Sequence, residues 1–174
     1  MGKVIGIVLI LSGLLAGVGM YYLQVYAFYE EVAANDSEIA LTSLFSGEPE
    51  PILYDNFAGI DSDSSPIRYR ACFETPTSLA LMTETYVIMD DAEPLVAPGW
   101  FDCFDAEAIG EDLENGTAIA FMGTENIQYG IDRIVAVYPD GRAYAWNQIN
   151  ACGEVVFDGD PVPEGCPTPP ERAN

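Results

Sequence analysis

The side chains with chemical potential in this sequence are its carboxylates, five arginines and four cysteines. Asp61 with Asp63, Asp90 with Asp91, and Asp102 with Asp105 are close enough in sequence to be read as acid–base pairs. Such work needs two carboxyl groups in different environments across a cleft. With 28 acidic residues, close pairs arise by chance, and a solvated surface is the expected reading. Asp61-Ser-Asp63-Ser-Ser65 opens like a calcium loop. Its sixth position is Pro66 rather than Gly and its twelfth is Cys72 rather than Glu, which excludes an EF-hand.

The chain contains no histidine. That removes Ser-His-Asp and Cys-His catalysis, histidine-ligated metals and a histidine phospho-acceptor. Lys3 is the only lysine, and it precedes a long apolar run. There is no Gly-x-x-x-x-Gly-Lys phosphate loop. The expectation is a protein that is not an enzyme and needs no cofactor or metal.

The arginines beyond the apolar run are Arg68, Arg70, Arg133, Arg142 and Arg172. Arg68 and Arg70 fall on one face of an alternating segment, and Arg133 starts a hairpin. These three form a candidate anion-binding set. The plainer reading is structural ion pairing with the many carboxylates. Against five arginines the 28 acids leave the exported part at −23, so nucleic acid and anionic surfaces should be repelled. A basic protein partner fits better.

Cys72, Cys103, Cys152 and Cys166 make an even count, read as disulfides in an exported domain. Three pairings exist. Cys152 and Cys166 flank a Gly- and Pro-containing loop and are the favoured bridge, leaving Cys72 with Cys103. No Cys-x-x-Cys is present, so neither a thioredoxin-like site nor a zinc knuckle is expected.

The elements that must hold these residues can be read from pattern. Ile39 to Phe45 reads as a strand, Gly47 to Pro51 as a loop because of its two prolines, and Ile52 to Phe57 as a short strand or extended segment. Gly59 to Pro66 reads as a loop. Ile67 to Glu74 alternates like a half-buried strand, with Ile67, Tyr69, Ala71 and Phe73 on one face. Thr75-Pro76 is expected to cap and start a helix through Tyr86, followed by loop from Val87 to Pro98. Gly99-Trp100-Phe101 is expected in the core. Asp105 should cap a helix over 106–114, ended by Asn115-Gly116, with a strand from Thr117 to Met122. Pro139-Asp140-Gly141 is turn chemistry between Ile131–Tyr138 and Arg142–Ile149, hence a hairpin. Asn35-Asp-Ser37 and Asn115-Gly-Thr117 match glycosylation sequons.

This order predicts an α+β domain with a mainly antiparallel sheet and two short helices on one face. The expected division is an anchor at 1–32, a stalk at 33–50, the domain at 51–157 and a Pro-rich tail at 158–174.

All of this follows Val4 to Tyr29, a run without a charged residue. About 20 apolar residues span a bilayer core, so the run is long enough for one transmembrane helix. It exceeds the apolar stretch of a signal peptide, although Val32-Ala33-Ala34 would suit cleavage. Lys3 before it places the amino terminus in the cytoplasm and the rest outside. Tyr21, Tyr22, Tyr26 and Tyr29 suit the headgroup level. Gly2, Gly6, Gly13 and Gly17 fall within about 60° of one another around the helix. Gly13-x-x-x-Gly17 is the spacing that lets two helices approach closely, so Gly6, Gly13 and Gly17 are candidate helix-packing residues.

Four segments carry a resemblance: MGKVIGIVLILSGLLAGVGMYYLQVYAFYEEV, DSDSSPIRYRACFETP, APGWFDCFDAEAIG and YGIDRIVAVYPDGRAYAWNQINACGEVVFDGDPVPEGCP. Together they resemble a family of small, uncharacterised, single-pass alphaproteobacterial proteins built on a domain of unknown function. Members are sometimes labelled histidine kinases. Without a histidine or a nucleotide-binding glycine box, this chain does not support that label as catalysis. The resemblance implies a bacterial inner-membrane protein with a periplasmic domain. The expected role is an accessory, assembly or sensing component of a membrane complex. A periplasmic binding module for an anionic small molecule is the alternative.

Overall fold

The computed structural model describes residues 2–34 and 38–170. The sequon at Asn35 and Arg172 lie outside the described residues. Helix α1, Gly2–Val25, carries no buried residue and is long and apolar enough to cross a membrane. Its one hydroxyl in mid-helix, Ser12 Oγ, bonds back to the Val8 and Leu9 carbonyls, so no polar side chain needs an outside partner there.

The remainder is an α+β domain. Among the described residues eight strands follow: β1 (Glu30–Val32), β2 (Ala40–Thr42), β3 (Pro49–Pro51), β4 (Asp55–Asp61), β5 (Arg70–Glu74), β6 (Ile119–Gln128), β7 (Ile131–Val137) and β8 (Arg142–Ile149). Six of them form one antiparallel sheet in the order β1-β4-β5-β8-β7-β6, and β2 and β3 form a separate two-stranded ribbon. Three short helices, α2 (Leu79–Thr85), α3 (Ala106–Glu114) and α4 (Ala151–Phe157), complete the domain. The last differs from the expectation, so the described residues of the domain hold three short helices rather than two. Asn150 caps it by accepting from Gly153 N–H.

The helices do not share a face. One core contains Leu41, Tyr69, Phe73, Met82, Phe121 and Val135, bringing the β2–β3 ribbon and α2 onto one side of the sheet. The other contains Cys72, Phe104, Ile109, Ile134 and Trp146, bringing α3 and the loop before it onto the opposite side. A sheet covered on both faces needs apolar residues at both parities. That is why β5 and β7 are buried nearly throughout, and why the half-buried reading of β5 was too shallow.

Several boundaries differ from expectation for local reasons. Pro49 and Pro51 do not block pairing. Ser43 N–H bonds the Glu48 carbonyl and Ile52 N–H bonds the Ile39 carbonyl at the two ends of β2, so the prolines at the odd positions between them turn their donor-less nitrogens away from it. Residues 39–43 are no stalk, because Ile39 and Leu41 are essentially inaccessible to solvent in the first core. Gly59 to Asp61 continue β4 instead of starting a loop. Residues 66–68 form a 3-10 turn ahead of β5. Helix α2 starts at Leu79 with Ser78 as its cap, while Thr75 instead bonds to the Leu53 carbonyl and to Gly141. Asp105 caps α3 over the expected residues, and the β7–β8 hairpin forms as expected.

Both favoured disulfides form. Cys72–Cys103 pins the loop before α3 against β5, and Cys152–Cys166 ties the Pro-rich segment to α4.

Candidate functional site

The anchor and the domain meet in an aromatic collar. Trp100 was expected in the core, yet it belongs to neither core cluster. Its Nε1–H donates to the carbonyl of Val25, the last residue of α1, at 2.8 Å. Helix C-termini leave carbonyls without partners inside the helix, and this bond satisfies one of them. The Trp100 ring stacks on Tyr26 at 6.1 Å and meets Tyr29 edge-on at 6.0 Å. Tyr26 in turn stacks on Tyr22. Tyr29 carries the Arg68 guanidinium over its ring, 5.4 Å from the centroid. One residue later β1 enters the main sheet, with Glu30 opposite Asp61. The chain therefore passes from helix to sheet in four residues with no free linker.

The three candidate anion-binding arginines do not converge. Registration places Arg70 opposite Trp146 and Ile134, on the α3 side of the sheet, and Arg133 opposite Asn147, on the ribbon side. Arg70 is 4 % exposed and spends its donors on backbone. Nε bonds the Leu95 carbonyl, Nη1 those of Ile67 and Tyr69, and Nη2 that of Val96. It stitches the loop before α3 to the start of β5. Burial pulls its pKa down to about 10, partly offset by Tyr29 and Asp61, so it remains charged at neutral pH. Arg133 lies 3.5 Å from the Tyr69 ring centroid and donates from Nε to Asn147 Oδ1. Burial lowers its pKa as well, against opposing contributions from Tyr69 and Asp61.

The ion-pair reading is replaced along with the convergence. Among the described residues the one salt bridge is the exposed pair Arg142–Asp140 at the hairpin turn, whose hydrogen bonds hold Asp140 below the usual carboxylate range. Buried arginines here are held by carbonyls and rings, a solution that sequence spacing does not display. Arg68 has neither a hydrogen bond nor an ion pair among the described residues, and its Nη1 is shielded from solvent.

Two recesses lie on the α3 side. One of about 370 Å³ is lined by Ile88, Asp90, Glu93, Leu113, Glu114 and Ala120. The other, about 600 Å³, is lined by Asp91, Glu93, Asp132, Gln148, Ile149 and Glu154. Neither contains an arginine, so both would repel an anion. Asp132 is buried at the base of the second, where Oδ1 accepts from Asn126 N–H and the Asn150 amide. These bonds join the end of β6, the start of β7 and α4, and give Asp132 a structural role. No group of three or more Cys, Asp or Glu among the described residues is arranged to hold a metal.

In α1 the glycine face is open. A side chain built at Gly6, Gly13 or Gly17 would meet nothing within 4 Å.

A family model matches residues 39–167, from the first core residue of the ribbon to just past Cys166. The chain belongs to a family of unknown function (DUF6446). The match covers both disulfides and both cores and leaves out α1 and the collar's tyrosines. No curated protein and no solved structure matches the chain. The family thus supplies a domain, and no activity comes with it.

Proposed function

We propose that this DUF6446 member is a non-enzymatic, single-pass protein of the bacterial inner membrane. Its acidic domain faces the periplasm and serves as an accessory, assembly or sensing component of a membrane complex. The observation that carries the reading is the collar. A helix that is to be cleaved off has no reason to be built into the fold that remains, yet Trp100 bonds the end of α1 and β1 pairs with β4. Cleavage after Ala34 would strip β1 from the sheet and expose the edge of β4. The two disulfides support an oxidising compartment. Docking without a linker holds the domain at a fixed height and orientation above the bilayer, as suits a component that meets a neighbour in the same membrane.

The glycine face of α1 is the surface for that neighbour, and the acidic domain suits a basic partner. Crosslinking in native membranes followed by extraction should recover a specific partner, and Gly13→Ile combined with Gly17→Ile should lose it. Unchanged co-purification by the double variant contradicts helix packing. The anion-binding alternative gathers less support, because Arg70 and Arg133 are on opposite faces of the sheet and are already held by protein groups.

A further inference from the structure

Arg68 stands apart from the other arginines. In a chain with 28 acidic residues, its guanidinium has no carboxylate, carbonyl or amide partner among the described residues. Its one attachment is the face of Tyr29. Nη1 is shut off from solvent without a hydrogen bond, so this donor has lost its water and gained no acceptor in return. Such a group is costly unless a counter-charge is supplied. The Nε–Nη2 edge, whose fork suits a phosphate held by two hydrogen bonds, is also unused by protein.

Position says where a counter-charge would come from. Tyr29 follows α1 by four residues and packs with Trp100 and Tyr26, the aromatic band that prefers the headgroup layer. Arg68 is attached to that band and is therefore level with lipid phosphates. Exposed Glu30 follows Tyr29 directly, and Glu30, Asp63 and Phe28 line a shallow recess at the same end. This acidic flank disfavours a general attraction to anionic membranes and leaves a local contact with one headgroup.

We propose that Arg68 is a phospholipid-binding residue. Together with the Tyr29 ring it grips the phosphodiester of a lipid headgroup where α1 leaves the bilayer. The site rests on the reading of α1 as a retained anchor.

The test uses the full chain in nanodiscs made from equal amounts of phosphatidylethanolamine and a galactosyl diglyceride with the same acyl chains. Lipid adducts are counted by native mass spectrometry after release. The wild type should retain the phospholipid over the glycolipid by about tenfold, the order expected of a charge-assisted hydrogen-bonded contact. Arg68→Gln should bring the two to parity while its melting temperature stays near that of the wild type. Equal retention of both lipids by the wild type overturns the proposal, and that arm does not depend on any variant folding. Undiminished selectivity in Arg68→Gln overturns it too. Failure of the wild-type chain to enter nanodiscs would overturn the anchor reading itself and the site with it.

Discussion

At the scale of single residues, the burial of cations is decided by carbonyls rather than carboxylates. Arg70 donates to four backbone carbonyls, three of them at 2.8 Å or less. Arg70→Met would keep some of its volume and orphan those acceptors. It should lower the unfolding free energy by about 3 kcal/mol, read from urea titration. A midpoint unchanged from the wild type contradicts the role given to Arg70. Tyr138 gives a pH prediction. Burial raises its pKa first, and then the hydrogen bond it donates to Asp112 and the charge of that carboxylate. An unfolded tyrosine ionises near pH 10. The folded state therefore keeps a proton that the unfolded state has lost, and stability falls as pH rises past about 10. Tyr138→Phe should flatten that loss in alkaline unfolding curves, whereas a slope identical to the wild type would rule this out. The sequence showed Arg68, Arg70 and Arg133 as a set, because spacing shows parity along one strand. It does not show which strand lies on which side. Nor could it show that a guanidinium prefers carbonyls when the neighbouring loop supplies them in the right directions.

At the scale of elements, legibility followed the strength of the local signal. Asp105 and its helix and the Pro-Asp-Gly hairpin were readable, because capping and turn chemistry act over a few residues, while the Cys152–Cys166 bridge was favoured by its Gly- and Pro-containing loop and left Cys72 with Cys103. Misreadings came where tertiary contacts overrode them. Thr75 bonds Leu53 instead of capping a helix, and the two prolines of β3 turn their nitrogens outward. Helix α4 has little local sequence signal because it is seven residues long and is held by packing. Gly153 sits so close to Gly130 that an added Cβ would lie 2.2 Å from the Gly130 carbonyl oxygen. Gly153→Ala should push α4 off the sheet and cost about 2 kcal/mol, visible in thermal unfolding. Removing the Cys152–Cys166 bridge, with a sequence separation of 14, should cost about 3 kcal/mol in the chain-entropy account. Removing Cys72–Cys103, with a separation of 31, should cost nearer 4 kcal/mol, since the longer loop gains more freedom when unfolded. The reverse order would point to native packing rather than loop entropy as the main term.

At the scale of the whole molecule, the sequence divided the chain into anchor, stalk and domain, whereas the structure joins them. The α+β class and the apolar helix were legible. The continuity between them was not, since Trp100 and Val25 are 75 residues apart. Trp100 lies outside both cores, so Trp100→Ala should leave the domain's melting temperature nearly unchanged and increase proteolysis between Val25 and Glu30 in membranes. A large drop in melting temperature would mean that the collar supports the domain itself. The central claim is that α1 stays part of the mature protein and holds the domain at the bilayer. It is tested most directly by the intact mass of the protein recovered from carbonate-washed bacterial membranes. The account predicts a chain in the membrane pellet whose mass includes the residues up to Ala34 and two disulfides. A soluble protein whose mass lacks the residues up to Ala34 would contradict it.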